Sequence, residues 1–281
     1  MILITGATGN IGSELVQQLS ARGAPLRIVT RDERKVAHLD ARIERVIGNL
    51  SERDTVQRAV RGVERLFMVT LLTGEGDTAD PMLIEEARKA GVRHVVKVSS
   101  LGTAGKSRMG QMHREKEQLI EASGMGWTFL RPGSFMSNAL QWVGPIRAQG
   151  KVFTPTADGK VAPIDPKDIA AVAAVALTSS GHEGQVHELT GPELLSAHDQ
   201  VRILAGILGR TLQCVDVPVT VAGENVRKSG APDWMVEGLM ELWTAIRSGN
   251  GGILKDGVQR VTGRPARTFE QWCQEHRGAF S

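Results

Sequence analysis

Glycines at positions 6, 9 and 12 are the first residues of this chain whose type and spacing can do chemistry. They stand in the string Ile4-Thr5-Gly6-Ala7-Thr8-Gly9-Asn10-Ile11-Gly12, between a short apolar run and the start of a helical pattern. Gly6 permits a tight turn, Gly9 lets the backbone approach a diphosphate, and Gly12 lets the helix pack closely on the strand. The free N–H groups at the helix start then meet the diphosphate charge. A strand, a glycine loop and a helix in that order predict a dinucleotide site lined by Gly6, Thr8, Gly9, Asn10, Ile11 and Gly12. The plain alternative is a glycine-rich turn with no ligand.

Cofactor choice is read at the end of the second strand, where an acid takes the adenosine ribose hydroxyls and an arginine suits a 2′-phosphate. Arg31 follows Val29-Thr30 there, nineteen residues after Gly12. Its guanidinium suits pairing with the phosphate or stacking on adenine, which makes NADP(H) the expected cofactor. Asp32 and Glu33 stand beside it, so NADH is the competitor, and a solvated arginine is the plain reading. Asn49, with Leu50, follows the third strand and is expected at the adenine edge. Thr70 and Leu71 end the fourth strand and are expected under the adenine or ribose.

The reacting end is expected beside Ser99 and Ser100, which close the fifth strand. One of them is expected to hydrogen-bond the substrate or the nicotinamide ribose; a strand-end cap is the alternative. His113, with an imidazole titrating at about 6.5, suits a proton donor or a holder of ribose hydroxyls. Its alternative is an exposed histidine in the charged run with Arg114, Glu115 and Lys116. Met109, Phe135, Met136 and Trp142 suit an apolar wall for a flat substrate, or simply core. Asn138 suits orientation of a polar substrate group, or the cap of a helix over 139–148. The chain contains no tyrosine, so a phenol acid is excluded by inspection.

The elements that must position these residues follow from apolar periodicity. Strands are expected over 2–5, 26–30, 45–47, 65–70, 95–99 and 127–131, with helices between them near 53–61, 80–90 and 109–123. Ile11, Leu15, Val16 and Leu19 mark the first helical face, stopped by Gly23. Near-continuous apolar strands alternating with helices predict an α/β fold, a Rossmann-type doubly wound parallel sheet. Residues 1–131 form the expected dinucleotide-binding core. Residues 132–281 are expected to form a smaller substrate-facing region, interwoven with the core by a strand over 160–164 and a helix from 165 to 177. Further strands are expected at 186–189 and 212–217, with helices near 197–208, 219–228, 232–247 and 268–276.

Composition narrows the function class. The 34 basic and 31 acidic residues are interspersed, giving a net charge of +3 and no basic stripe for nucleic acid. No apolar run has the length of a membrane span, and the opening run 1–4 is too short for a signal peptide. A cytoplasmic protein is therefore expected, a monomer or homodimer acting on a small molecule. Two cysteines, Cys214 and Cys273, form no redox or metal motif, and the seven histidines are scattered. No metal site is expected.

Together the glycine string, Val98-Ser99-Ser100, the run from Glu117 to Gly124, Trp127-Thr128-Phe129-Leu130-Arg131-Pro132 and Asp168-Ile169-Ala170 resemble the atypical short-chain dehydrogenase/reductase superfamily, in its NmrA-like branch. The resemblance covers nearly the whole chain. It implies NAD(P)H binding, with relatives that reduce quinones or triphenylmethane dyes and others that regulate without known turnover. It also implies a place for the Tyr-x-x-x-Lys pair of typical members. Counting back from Glu117 and Ser123-Gly124 puts Met109 and His113 there; another register puts Met112 and Lys116. The expected function is an NADPH-dependent oxidoreductase passing hydride to an aromatic, quinone-like or conjugated substrate without a tyrosine acid. The alternative is a non-catalytic NADP(H)-sensing regulator.

Overall fold

The computed structural model of the protein describes residues 1–69, 79–105 and 107–281. In chain order, β1 (Ile2–Ile4) leads to α1 (Asn10–Ala21), β2 (Leu26–Thr30), β3 (Glu44–Ile47), α2 (Arg53–Val60) and β4 (Arg65–Val69). Next come α3 (Ala79–Lys89), β5 (His94–Val98), α4 (Arg108–Ala122) and β6 (Gly126–Pro132). They are followed by α5 (Val143–Gln149), β7 (Lys151–Thr154), β8 (Lys160–Val161), α6 (Pro166–Thr178) and β9 (Gln185–Leu189). Last are β10 (Leu195–Ser196), α7 (Ala197–Leu208), β11 (Gln213–Asp216), α8 (Val219–Lys228), α9 (Asp233–Arg247), α10 (Gly257–Thr262) and α11 (Phe269–His276).

The main sheet has seven strands in the order β3-β2-β1-β4-β5-β6-β9. Every pairing from β3 to β6 is parallel. β1 is buried along its length and pairs on one side with β2, Ile2 opposite Leu26, and on the other with β4, Ile2 opposite Arg65. Strand order therefore reverses at β1, the point where such sheets collect ligands at their carboxyl ends. The architecture is the Rossmann-type α/β fold that the alternating pattern predicts.

Two compact units divide the chain. The first comprises Met1–Lys106, Gly110–Pro132 and Pro166–Glu188 and carries the main sheet. Its core runs from Leu3, Leu66 and Val95 to Phe129 and Ile120, with α2 and α3 contributing Val56, Leu83 and Ala87. On α6 almost every residue is buried, and its alanines let it lie close against α1, where Gln18 Nε2 donates to the Lys167 carbonyl at 3.1 Å. The second unit comprises Ser107–Met109, Gly133–Asp165 and Leu189–Ser281. It has its own core of Met136, Ile146, Val152, Leu204, Phe269 and Trp272. Two small sheets belong to it, β10 antiparallel to β8 and β11 parallel to β7.

Two expectations are corrected. The strand expected over 160–164 does not enter the main sheet; only Lys160–Val161 is extended, paired with Leu195–Ser196. Pro163 lacks the N–H that a ladder needs, and Ile164 keeps a single bridge to Phe135. The place beside β6 is taken by β9. The helix expected over 139–148 is a 3-10 turn, Met136–Trp142, followed by α5. Pro145 then falls in the first turn of α5, where its missing N–H costs no helical bond. Among the described residues no helix is long and apolar enough to cross a membrane, and no cluster of three or more side chains could hold a metal ion.

Candidate functional site

The loop after β1 is built by contacts that only glycine tolerates. Gly6 has φ +65°, in the left-handed region. A Cβ on Gly12 would lie 2.1 Å from the Gly6 carbonyl oxygen, so α1 starts as close to its own loop as a backbone allows. Thr5 ties the loop to β4: its hydroxyl donates to the Phe67 carbonyl at 3.1 Å and accepts from the Val69 N–H at 3.1 Å. Gly9 is the N-cap of α1 and offers no side-chain acceptor, and the first turn holds no acid. Gly6, Thr8, Gly9 and Asn10 are exposed; Ile11 and Gly12 are buried. A helix start, with its positive dipole end and first-turn N–H groups that have no partner inside the helix, beside a cradle that a Cβ would fill, fits a diphosphate.

At the end of β2, Arg31 is exposed and Asp32 caps a 3-10 turn, Glu33–Val36. After β3, Asn49 is exposed and its Oδ1 accepts from the Ser51 N–H at 3.2 Å, while Leu50 packs on the sheet's core. Thr70 and Leu71 lie outside the described residues.

The carboxyl end of β5 holds a buried charged cluster. Glu117 of α4 is fully buried and accepts two bonds from Arg131 of β6, at 3.0 and 2.6 Å, and one from Arg114 at 3.1 Å. Burial works against its charge, but Arg131 first, then Ser99 and Arg114, hold the carboxyl below its usual range. Lys97 is fully buried on β5 and donates to the Val98 carbonyl at 3.0 Å. Its burial pushes the ammonium down to about 8, against the pull of Glu117 and Asp80. His113 lies one turn before Glu117 on α4, and its Nδ1 is buried with no hydrogen-bond partner among the described residues. Burial, then the charges of Lys97 and Lys116, push the imidazole down to about 4. Lys116 points elsewhere, its Nζ 2.7 Å from Asp80 at the start of α3, and ties α4 to that helix.

The two serines differ. Ser99 is 4% exposed and lies 3.3 Å from the Thr103 hydroxyl. The Thr103 proton is spent on the Ser100 carbonyl at 2.6 Å, so the Ser99 proton goes to Thr103 or to Glu117. Ser100 is half-buried, and its oxygen accepts from the Gly102 N–H at 3.1 Å as the cap of a 3-10 turn.

Lys97, Glu117 and Arg131 were not read as a cluster from the sequence. The signal was Lys97 itself: a lysine inside Val95-Val96-Lys97-Val98 must find buried partners.

The residues expected to wall the substrate belong to the second unit. Met136 is 1% exposed in that unit's core, and Trp142 packs against the same core. Packing takes up the Met136 surface, the core alternative read from the sequence, while Trp142 stays half-buried. Asn138 is exposed inside the 3-10 turn and caps no helix. Phe135 is half-buried, and the Met109 side chain lies against Gly238 of α9, where a Cβ would meet its Cγ at 2.9 Å. Burial pushes the Cys214 thiol up to about 11 and that of Cys273 up to about 12, away from the thiolate form.

Comparison with known proteins gives this geometry a family. A family model described as NAD(P)H-binding matches residues 6–180. The chain is 38% identical over 283 residues to an NAD(P)H azoreductase of Xenophilus azovorans, covering 100% of this chain and 99% of that protein. It is also 38% identical, with coverage of 100% and 99%, to the (4-alkanoyl-5-oxo-2,5-dihydrofuran-3-yl)methyl phosphate reductase of Streptomyces griseus. Among solved structures, the NADPH complex of an Escherichia coli NADPH-dependent quinone oxidoreductase superposes with a TM-score of 0.85 over 98% of this chain and 99% of that one. At 24% identity that likeness speaks for the fold. With a glycine cradle shaped for a diphosphate and a family match across most of the sheet, the chain belongs to the NAD(P)H-binding family of Rossmann-type reductases.

Proposed function

We propose that the protein is an NADPH-dependent reductase that passes hydride to a small, flat, conjugated acceptor such as a quinone, an azo compound or a cationic dye. Its full-length relatives with reductase activity support the reaction class. The observation that carries the finer reading is His113, held neutral beside the buried Lys97–Glu117–Arg131 cluster. An imidazole with a pKa of about 4 offers a hydrogen bond at neutral pH and little acid, far from the match to working pH that a proton donor needs. With no tyrosine in the chain, the acceptor must already be electrophilic.

When bound, the reduced nicotinamide supplies the hydride. The chain's own residues orient and shield. Gly6, Gly9 and the start of α1 take the diphosphate; Arg31 takes the 2′-phosphate; Asn49 reaches the adenine. Lys116, spent on Asp80, leaves His113 as the α4 residue that faces the reacting end. Ser100, with its proton uncommitted to Thr103 or Glu117, is the serine that meets the ligand, and Ser99 is the strut behind it.

The test is NADPH oxidation by the full chain against a panel of quinones, azo dyes and cationic dyes, with product measured apart from chemical background. Turnover that disappears on Gly9→Val supports the reading, because a bulky residue blocks backbone approach to the diphosphate. Tight NADPH binding with no turnover across the panel would overturn it in favour of a dinucleotide sensor.

A further inference from the structure

We infer that Arg34 sets cofactor choice by clamping the Asp32 carboxylate, so that it cannot receive an adenosine ribose; the inference rests on the dinucleotide placement proposed above. Asp32 stands twenty residues after Gly12, at the end of β2, where a carboxylate ordinarily accepts both ribose hydroxyls and selects NADH. By position alone it should oppose Arg31. Its oxygens are already taken. Oδ1 accepts from the Arg34 backbone N–H at 3.1 Å and from Nε at 2.9 Å, and Oδ2 accepts from Nη2 at 3.0 Å. A diol needs two acceptors side by side, and this bidentate grip removes that geometry.

The turn beneath the clamp is held as well. The Asp32 N–H donates to the Thr30 hydroxyl at 3.2 Å, and that hydroxyl donates to the Asp32 carbonyl at 3.1 Å. The guanidinium also cancels a negative charge that would otherwise repel a 2′-phosphate arriving at Arg31. In keeping with this, the Arg34 hydrogen bond holds the Asp32 carboxyl below its usual range. The clamp is local, made within three consecutive residues. Asp40 and Arg42 repeat it, with bonds of 2.9 Å from the backbone and 3.1 and 2.7 Å from the guanidinium. What gives the first copy a consequence is its place at the end of β2.

The exposure of Arg34 keeps the effect modest, because water competes for the pair. Dissociation constants for NADH and NADPH are measured by calorimetry on the full chain and its variants. Arg34→Ala is expected to tighten NADH by roughly three- to tenfold and to weaken NADPH by a similar factor. Arg42→Ala, which opens the second clamp away from the glycine loop, should move neither. Asp32→Asn retains a capping oxygen without the charge, and in that background Arg34→Ala should no longer improve NADH. Unchanged NADH affinity in Arg34→Ala, or an equal gain in the Asp32→Asn background, would overturn the clamp. Arg31→Ala reads the placement separately. If it leaves NADPH affinity unchanged, placement and clamp both fall; if it weakens NADPH while Arg34 and Asp32 stay uncoupled, only the clamp does.

Discussion

At the carboxyl end of β5, buried Lys97 and Glu117 meet half-buried Arg131 and Arg114 as charges; toward its amino end, His94, Thr128, His182 and His187 are linked by hydrogen bonds. The first cluster offsets desolvation by pairing: one carboxylate serves two guanidinium groups and draws on a lysine beside them. In the second, burial holds the His94 imidazole below its usual range. The Thr128 hydroxyl spends its proton on the His182 carbonyl at 2.6 Å, so the His94 Nε2 must donate to Thr128 at 2.9 Å. That leaves the His94 Nδ1 unprotonated and buried, without a hydrogen-bond partner among the described residues. His182 and His187 share one hydrogen bond at 3.2 Å, which two protonated rings could not make. A buried charge set thus tolerates mild acid while its carboxylate stays ionised, whereas the set around His94 loses stability when that imidazole protonates.

The largest expected effect breaks the charged cluster. Glu117→Gln leaves Arg131 and Lys97 without their buried counter-charge and should cost about 3–5 kcal/mol, read as a fall in the urea midpoint. A midpoint within error of the parent would show that the cluster is hydrated and worth little.

Acid should discriminate next. The His113 pKa is pushed from 6.5 to about 4 on folding, so the unfolded chain binds more protons between those values. Stability from this group is complete above about 6.5 and is lost as pH falls toward 4; between pH 7 and 5 the loss is on the order of 2 kcal/mol. His94 is shifted the same way, chiefly by burial, and adds to the slope. His113→Gln should flatten the dependence measured by urea unfolding at each pH. An identical slope in the variant would place the acid sensitivity elsewhere.

Smaller still, Thr128→Val removes the hydroxyl that links His94 to His182. It should cost about 1–3 kcal/mol by stranding the His94 N–H, and less at pH 5, where the histidine network is already weakened. Equal costs at pH 5 and 7 would deny the coupling. The smallest effect on stability separates the serines: Ser100→Ala should lower turnover with a melting temperature close to the parent's. Ser99→Ala should lower stability by about 1 kcal/mol and act on turnover only through its neighbours. The reverse pattern would exchange their roles.

Much of this was legible in local pattern. The glycine spacing, the period-3.6 face of α1 and the apolar strands from β1 to β6 each act within a few residues, and the structure realises them nearly where the pattern puts them. Arg31 at the end of β2 follows from the same short-range logic. What failed did so where a residue's partner is distant in sequence. Met136 and Trp142 read more readily as core than as ligand wall, but which residues they pack against is set by α7 and α11, far away in sequence. The strand at 160–164 had the composition to join the main sheet, but which strand takes the place beside β6 is a matter of topology. Lys97 announced that a partner must exist without naming it, since Glu117 and Arg131 reach it from another helix and another strand. His113 shows the division most plainly. Its type and position on α4 were readable from sequence, but its protonation state depends on burial and on charges brought in from β5, and those exist only once the chain has folded.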